Sequence, residues 1–85
     1  MTAALRARVE VSFRDGVLDP EAQAIGKALG QLGFSGVRGV RKTKVIELEL
    51  ESLDRAAAQA DVRAMCERLL ANPVIETYRI EVGAS

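Results

Sequence analysis

Few side chains in this sequence have types suited to chemistry, and none has the company that chemistry requires. Cys66 is the single thiol, and the chain contains no histidine. A thiol nucleophile needs a neighbouring base or cation to hold it as thiolate. Cys66 instead falls on the apolar stripe of a predicted helix, where burial raises a thiol pKa and makes it inert. Ser12, Ser35 and Ser52 have no nearby base of the kind that activates a hydroxyl. One Cys and no His also exclude an internal disulfide and a Cys/His zinc site. Glu47, Glu49 and Glu51 share one parity of one stretch, so they form a row on an open, solvated face. Acid and base carboxylates that work as a pair need contrasting surroundings, which such a row does not provide.

Ligand-binding motifs fare no better. The glycines from Gly26 to Gly39 lack the loop-then-helix order and the Lys of a phosphate-binding loop. The only aromatics are Phe13, Phe34 and Tyr78, too few and too inward to stack bases across a sheet. Two exposed constellations remain. Arg41-Lys42-Thr43-Lys44 gathers three cations in a chain of zero net charge. Its two readings are docking to an acidic surface or phosphate, and a solubilising turn that guards a strand edge. Ala71-Asn72-Pro73-Val74-Ile75-Glu76-Thr77-Tyr78 contains an ordinary helix stop. Yet Ile75 falls on the parity opposite Val74 and Tyr78, placing an apolar side chain on a wet face.

These groups must be positioned by elements that the patterning predicts. Leu5 to Arg14 alternates, with Leu5, Ala7, Val9, Val11 and Phe13 on one parity, and reads as a strand with one wet face. Asp15-Gly16 is a turn. Asp19-Pro20-Glu21 starts a helix: the Asp accepts from free first-turn amides, Pro suits the first position and Glu favours the positive dipole end. That helix runs from about Pro20 to Leu32 and ends at Gly33 in a left-handed cap. Its Gly26 and Gly30 imply tight packing on its own sheet or close approach of another backbone.

Val37 to Val40 reads as a short strand, broken by Gly39, and Arg41 to Lys44 as the bend after it. Val45 to Glu51 is the clearest strand, with Ile46, Leu48 and Leu50 facing inward at the centre of the core. Ser52 or Asp54 caps a second helix from about Arg55 to Ala71, whose stripe is Ala58, Val62, Met65, Cys66, Leu69 and Leu70. Asn72-Pro73 stops it. Val74 to Val82 is the last strand, with Val74, Tyr78, Ile80 and Val82 on one face.

The order β-α-β-β-α-β, with one apolar face per element, predicts an α+β class. The architecture is a two-layer ferredoxin-like sandwich, an antiparallel sheet with two helices on one face. Its outer sheet face would carry Arg6, Arg8, Glu10, the Glu row, Arg79 and Glu81 as cross-strand ion pairs.

The 85 residues make one domain over 1-85, with an ordered core about 5-82, and 48% apolar content suits a folded globule. A core of this size supplies only ~3–5 kcal/mol of net stability, so association with another chain is expected to add buried area. Twelve basic and twelve acidic residues leave no field that would favour nucleic acid or an anionic membrane. The start of the chain lacks a signal-peptide apolar stretch, and no run approaches membrane-spanning length. The expected setting is cytoplasmic.

Taken together, these stretches resemble the PurS family, the small subunit of the multi-subunit phosphoribosylformylglycinamidine (FGAM) synthase of purine biosynthesis. The resemblance rests on Arg8-Val9-Glu10-Val11, on Gly16-Val17-Leu18-Asp19-Pro20 and on Leu32-Gly33-Phe34 with Gly36-Val37. It continues through Val40-Arg41 with Lys44, Met65-Cys66-Glu67, and Leu69-Leu70-Ala71-Asn72-Pro73-Val74-Ile75-Glu76. The chain departs from the family's pattern at Asp15, after Pro20, at Thr77, and at Thr43, where the family often has Gly.

The resemblance implies a non-catalytic assembly subunit of a glutamine-using, ATP-dependent ligase. It would bind no cofactor itself, with ATP, Mg and glutamine used by partner subunits. It would associate with itself as a dimer or tetramer, and join the glutaminase subunit to the large synthetase subunit so that ammonia can pass. Arg41, Lys42, Lys44, Asn72, Pro73, Ile75 and Tyr78 are the candidate partner-docking residues. The alternative from element order is an ACT-like small-molecule regulatory module, using Gly33 to Gly36 as its ligand segment.

Overall fold

The computed structural model describes residues 5–51 and 54–84. Strands β1 (Leu5–Phe13), β2 (Thr43–Leu50) and β3 (Glu76–Ala84) form one antiparallel sheet in the order β2-β1-β3. Helix α1 (Pro20–Gln31) follows β1, and α2 (Arg55–Met65) follows β2 and continues into a π-helical turn, Cys66–Leu70. The α+β class, the antiparallel sheet and the two helices agree with the patterning.

Register explains which faces are dry. Val9 lies opposite Ile46 on one side and Ile80 on the other, and Ala7 lies between Leu48 and Val82. All these side chains therefore share one face of the sheet. α2 lies across that face, on β1 and β3. The core is Ala7, Val9, Val11, Val62, Cys66 and Ala71, all buried. Ile46, Leu48 and Leu50 pack against it but stay half-buried. The centre of the core is thus β1, not β2: the middle strand is covered from both sides, while β2 is an edge.

The caps follow local chemistry. Asp19 accepts from the amides of Glu21 and Ala22 at 3.0 and 3.1 Å, and Asp54 from those of Ala56 and Ala57 at 3.0 and 3.2 Å. Asp54 is therefore a cap of α2, and Ser52 lies outside the described residues. Gly33 takes φ +98°, which a side chain would strain. The Phe34 amide reaches back to the Leu29 carbonyl at 3.0 Å and the Gly33 amide to that of Gly30 at 3.1 Å, closing α1 as predicted.

Four readings are corrected. Val37 to Val40 forms no strand and pairs with nothing in the sheet among the described residues. α1 makes no extensive contact with any strand; it lies along residues 37–42, where a Cβ on Gly26 would meet Val40 at 3.4 Å. The stripe of the second helix breaks at its end. The amide of Ala71 bonds the carbonyl of Cys66, five residues back, at 3.0 Å. The wider turn shifts the helical phase, so Leu69 is 83% exposed while Leu70 packs inward. β3 begins two residues later than expected, at Glu76, leaving Val74 in the preceding turn.

Among the described residues no helix is long and apolar enough to cross a membrane.

The phase shift predicts a contrast between two apolar positions. Val62→Ala, at a fully buried site, should destabilise the chain by about 2 kcal/mol. Leu69→Ala should change stability by less than about 0.5 kcal/mol, as at an ordinary surface site. Urea unfolding of both variants checks this; a large Leu69 effect would mean that the stripe runs unbroken.

Candidate partner-docking site

The two exposed constellations are far apart in sequence but meet at one end of the sheet. β1 ends there, and β2 and β3 begin there, with Ser12 opposite both Thr43 and Thr77 and Phe13 opposite Glu76. Arg41, Thr43, Thr77 and Tyr78 border one shallow hollow at this end. Lys42, Lys44 and Glu76 border another.

The basic turn is partly tied down. Arg41 donates to the Asp15 carboxylate at 2.9 Å, and Lys42 pairs with Glu21 in the first turn of α1. The hydrogen bond that Lys42 donates to the Glu21 carboxylate favours its charged form and raises its pKa, and burial opposes this. Lys44 lies opposite Val11, on the helix side of the sheet, and is exposed. These pairs are exposed, so they set direction more than stability.

The Asn72 turn is built more tightly. The Asn72 side chain accepts from the Val74 amide at 3.1 Å, and the Asn72 carbonyl accepts from the amides of Ile75 and Glu76 at 3.1 and 2.7 Å. The Glu76 carboxylate accepts from the Asn72 amide at 2.7 Å. Arg14 closes the turn from the end of β1. Its Nε and Nη2 donate to the Pro73 carbonyl at 3.0 and 2.8 Å, and its amide donates to Ile75 O at 2.8 Å.

The result is a rigid turn that holds Val74 80% exposed, with Ile75 less so and Leu69 nearby in sequence on the π-helical turn. Sequence reasoning missed Val74, which period-two counting placed inside, and Arg14, which it placed on the wet parity with no task. The signal for Val74 was present: Asx turns after Asn-Pro keep the chain out of strand geometry for several residues.

Tyr78 faces the other way. It lies opposite Val11 and packs on the core, and its hydroxyl donates to Glu67 Oε2 at 2.7 Å. That bond, then burial, raises its pKa. Cys66 is buried in the core, and burial, then Glu67, pushes its thiol up. It has the setting of a packing residue. At the other candidate segment, Gly33 is spent on closing α1, and Leu32 and Phe34 project into solvent.

The outer sheet face carries the expected charges. Arg6 reaches Glu47 and Glu49 across the β1–β2 pair at 3.7 and 3.5 Å, and Arg79 meets Glu81 at 3.0 Å. Among the described residues no cluster of His, Cys, Asp and Glu could hold a metal ion. The arrangement has the geometry of a binding surface: a rigid apolar turn beside a cationic bend.

Comparison with known proteins gives the family. Residues 6–84 match the family model described as PurS: Phosphoribosylformylglycinamidine (FGAM) synthase. The Synechocystis protein named phosphoribosylformylglycinamidine synthase subunit PurS is 45% identical, over 99% of this chain and 84% of that one. The structure of Bacillus subtilis PurS superposes with TM-score 0.85 at 43% identity, covering 93% of this chain and 98% of that one. A chain of PurLQS from Thermotoga maritima superposes with TM-score 0.83 at 31% identity, covering 94% of this chain and 98% of that one.

Half-buried Tyr78 and buried Cys66 each give a prediction. Tyr78 holds its proton more tightly in the folded chain than in the unfolded one. Its contribution is therefore complete below the ordinary tyrosine range near 10 and is lost as pH climbs through the raised folded value. Unfolding free energies measured from pH 8 to 11 should show a loss in the parent chain that Tyr78→Phe lacks; parallel profiles would mean that Glu67 does not hold the hydroxyl. The Cys66 thiol should resist iodoacetamide in the native chain and react within minutes in denaturant. Equal rates, followed by mass spectrometry, would show a reactive site.

Proposed function

The chain belongs to the PurS family, and from that premise we propose that it is a non-catalytic assembly subunit of FGAM synthase in purine biosynthesis. It associates with itself and joins the glutaminase subunit to the large ATP-dependent synthetase subunit, supporting ammonia transfer between them. The observation that carries this reading is the match over nearly the whole chain to PurS subunits, one of them within PurLQS. The setting of Cys66 and the lack of His support a role without bond-making chemistry in this chain. ATP, Mg and glutamine are handled by the partners, and the protein works in the cytoplasm.

The docking surface is the sheet end described above. Arg41, Lys42 and Lys44 supply charge, and Asn72, Pro73 and Ile75 supply shape. Tyr78 contributes from beneath by holding β3 on the π-helical turn. A preformed turn loses little entropy on binding, so its apolar tip can be used at full value. The cationic bend steers approach.

Reconstitution tests the role. Glutamine-dependent amidine formation by the two larger subunits, supplied with ATP, Mg and ADP, should depend on added chain; equal rates with and without it would sink the proposal. The surface has its own test. Arg41→Glu with Lys44→Glu should leave the circular dichroism unchanged and slow association with the partner subunits at least tenfold at low salt, the difference shrinking as salt is raised. Unchanged association would reduce the bend to a solubility feature.

A further inference from the structure

We propose that Leu69 and Val74 anchor the docking surface, that Arg14 positions them, and that they seat in an apolar socket with an acidic rim on one of the larger partner subunits. The inference deepens the proposed function and rests on it. It begins with exposure out of keeping with residue type. Leu69 and Val74 are 83% and 80% exposed, more than any other large apolar side chain among the described residues. Leu69 lies on the π-helical turn that leads into Asn72, and Val74 follows Pro73. Turns are ordinarily built from Gly, Asn, Asp and Ser, each for a backbone reason. Leu and Val bring no such reason to this one.

The polar groups of the turn are already used. The amides of Asn72, Val74, Ile75 and Glu76 and the carbonyls of Asn72, Pro73 and Ile75 all have partners within the chain. What the turn offers outward is its apolar side chains. Two of those carbonyls are held by Arg14, Pro73 O by the guanidinium and Ile75 O by the amide. The guanidinium bonds are exposed, and bonds that compete with water contribute only modestly to stability. Their effect is geometric. Two N–H groups of one planar guanidinium converge on the Pro73 carbonyl and fix the peptide plane that leads into Val74. A side chain aimed before contact loses little freedom on binding.

Charge and shape define what fits the tip. The neighbouring carboxylates bond back onto the chain, Glu67 to the Tyr78 hydroxyl and Glu76 to the Asn72 amide. Arg68 is exposed beside Leu69, and Lys44 is exposed and borders the same hollow as Glu76. Neither cation forms an ion pair among the described residues. Cations without partners surround the tip in a chain of zero net charge, so the complementary rim is acidic. A projecting knob would meet a second knob across a two-fold axis, so the socket belongs to a different chain.

The test follows amidine formation by the two larger subunits, with ATP, Mg, ADP and glutamine, as a function of added chain. Val74→Asp and Leu69→Asp should each raise the half-saturating concentration at least ~tenfold, with the maximal rate recovered at saturating chain. Both sites are exposed, so the urea midpoint should stay at the parent value. Arg14→Lys keeps the charge but replaces the fork with one ammonium. It should raise half-saturation about fivefold, equally at low and high salt. Arg68→Glu should raise it at low salt only.

Half-saturation at the parent value in Val74→Asp and Leu69→Asp overturns the anchor. Parent behaviour of Arg14→Lys overturns the positioning role, and the two Asp variants test the anchor even if that protein folds poorly. An Arg68→Glu deficit that is absent at low salt, or persists at high salt, overturns the acidic rim. A lower mass of Val74→Asp by light scattering would place the tip between copies of this chain and overturn the assignment to a larger subunit. A parent chain that stimulates nothing at any concentration defeats the assembly reading and this inference with it. A stimulating parent with unaltered variants defeats this inference alone.

Discussion

Among the described strands β1 alone is hydrogen-bonded along both edges, and the rest of the molecule depends on that constraint. Pairing on both sides leaves its inward side chains only one direction to be covered from, and α2 covers it. Val9 and Val11 are consequently among the largest fully buried side chains, with Val62 and Cys66 meeting them from the helix. β2 and β3 take their register from β1, and so do their faces. Ile46 and Ile80 are inward because each is opposite Val9. A slip of one residue on either side would turn every apolar side chain of that strand to water.

The same strand carries the constraint to the candidate docking surface. β1 ends at Phe13, and the next residue, Arg14, grips the Pro73 carbonyl and the backbone of Ile75. The Asn72 turn is thereby fixed to the central strand and not merely to the helix before it. On the other side, the turn after Arg14 supplies Asp15 to hold Arg41. Both candidate docking groups are thus indexed to one residue pair at the end of β1. A rigid origin for two candidate docking elements suits the proposed role of holding larger partners in a fixed relation.

Stability and assembly are linked by what the fold leaves undone. α2 and its π-helical turn build a small dry core with β1 and β3. The apolar surface on α1 is not part of it, and the inward face of β2 packs against it only half-buried. A chain of this size has little net stability from its own core, and apolar area left open is area that association can bury. Solubility in the meantime falls to the outer sheet face, where Arg6, Glu47, Glu49, Arg79 and Glu81 form exposed pairs worth little energy but well hydrated.

By itself the sequence determined what depends on near neighbours. Alternation marked β1, β2 and β3, the Asp19-Pro20 cap and a cap at Ser52 or Asp54 started the helices, and Gly33 closed α1, because period, capping and left-handed backbone are local properties. The isolation of Cys66 was legible for the same reason. Tertiary structure decided the rest. It made β1 and not β2 the centre, since coverage depends on which strand has two neighbours. It turned Leu69 outward, since the π-helical turn closed by the bond from Ala71 to Cys66 changes helical phase without changing the residue pattern. It lifted Val74 out of β3 and gave Arg14 its role, since a clamp across 59 residues of chain leaves no trace in spacing. It also kept residues 37–42 from their own sheet: whether an apolar segment folds back or reaches outward depends on the competition between surfaces, which no stretch of sequence contains alone.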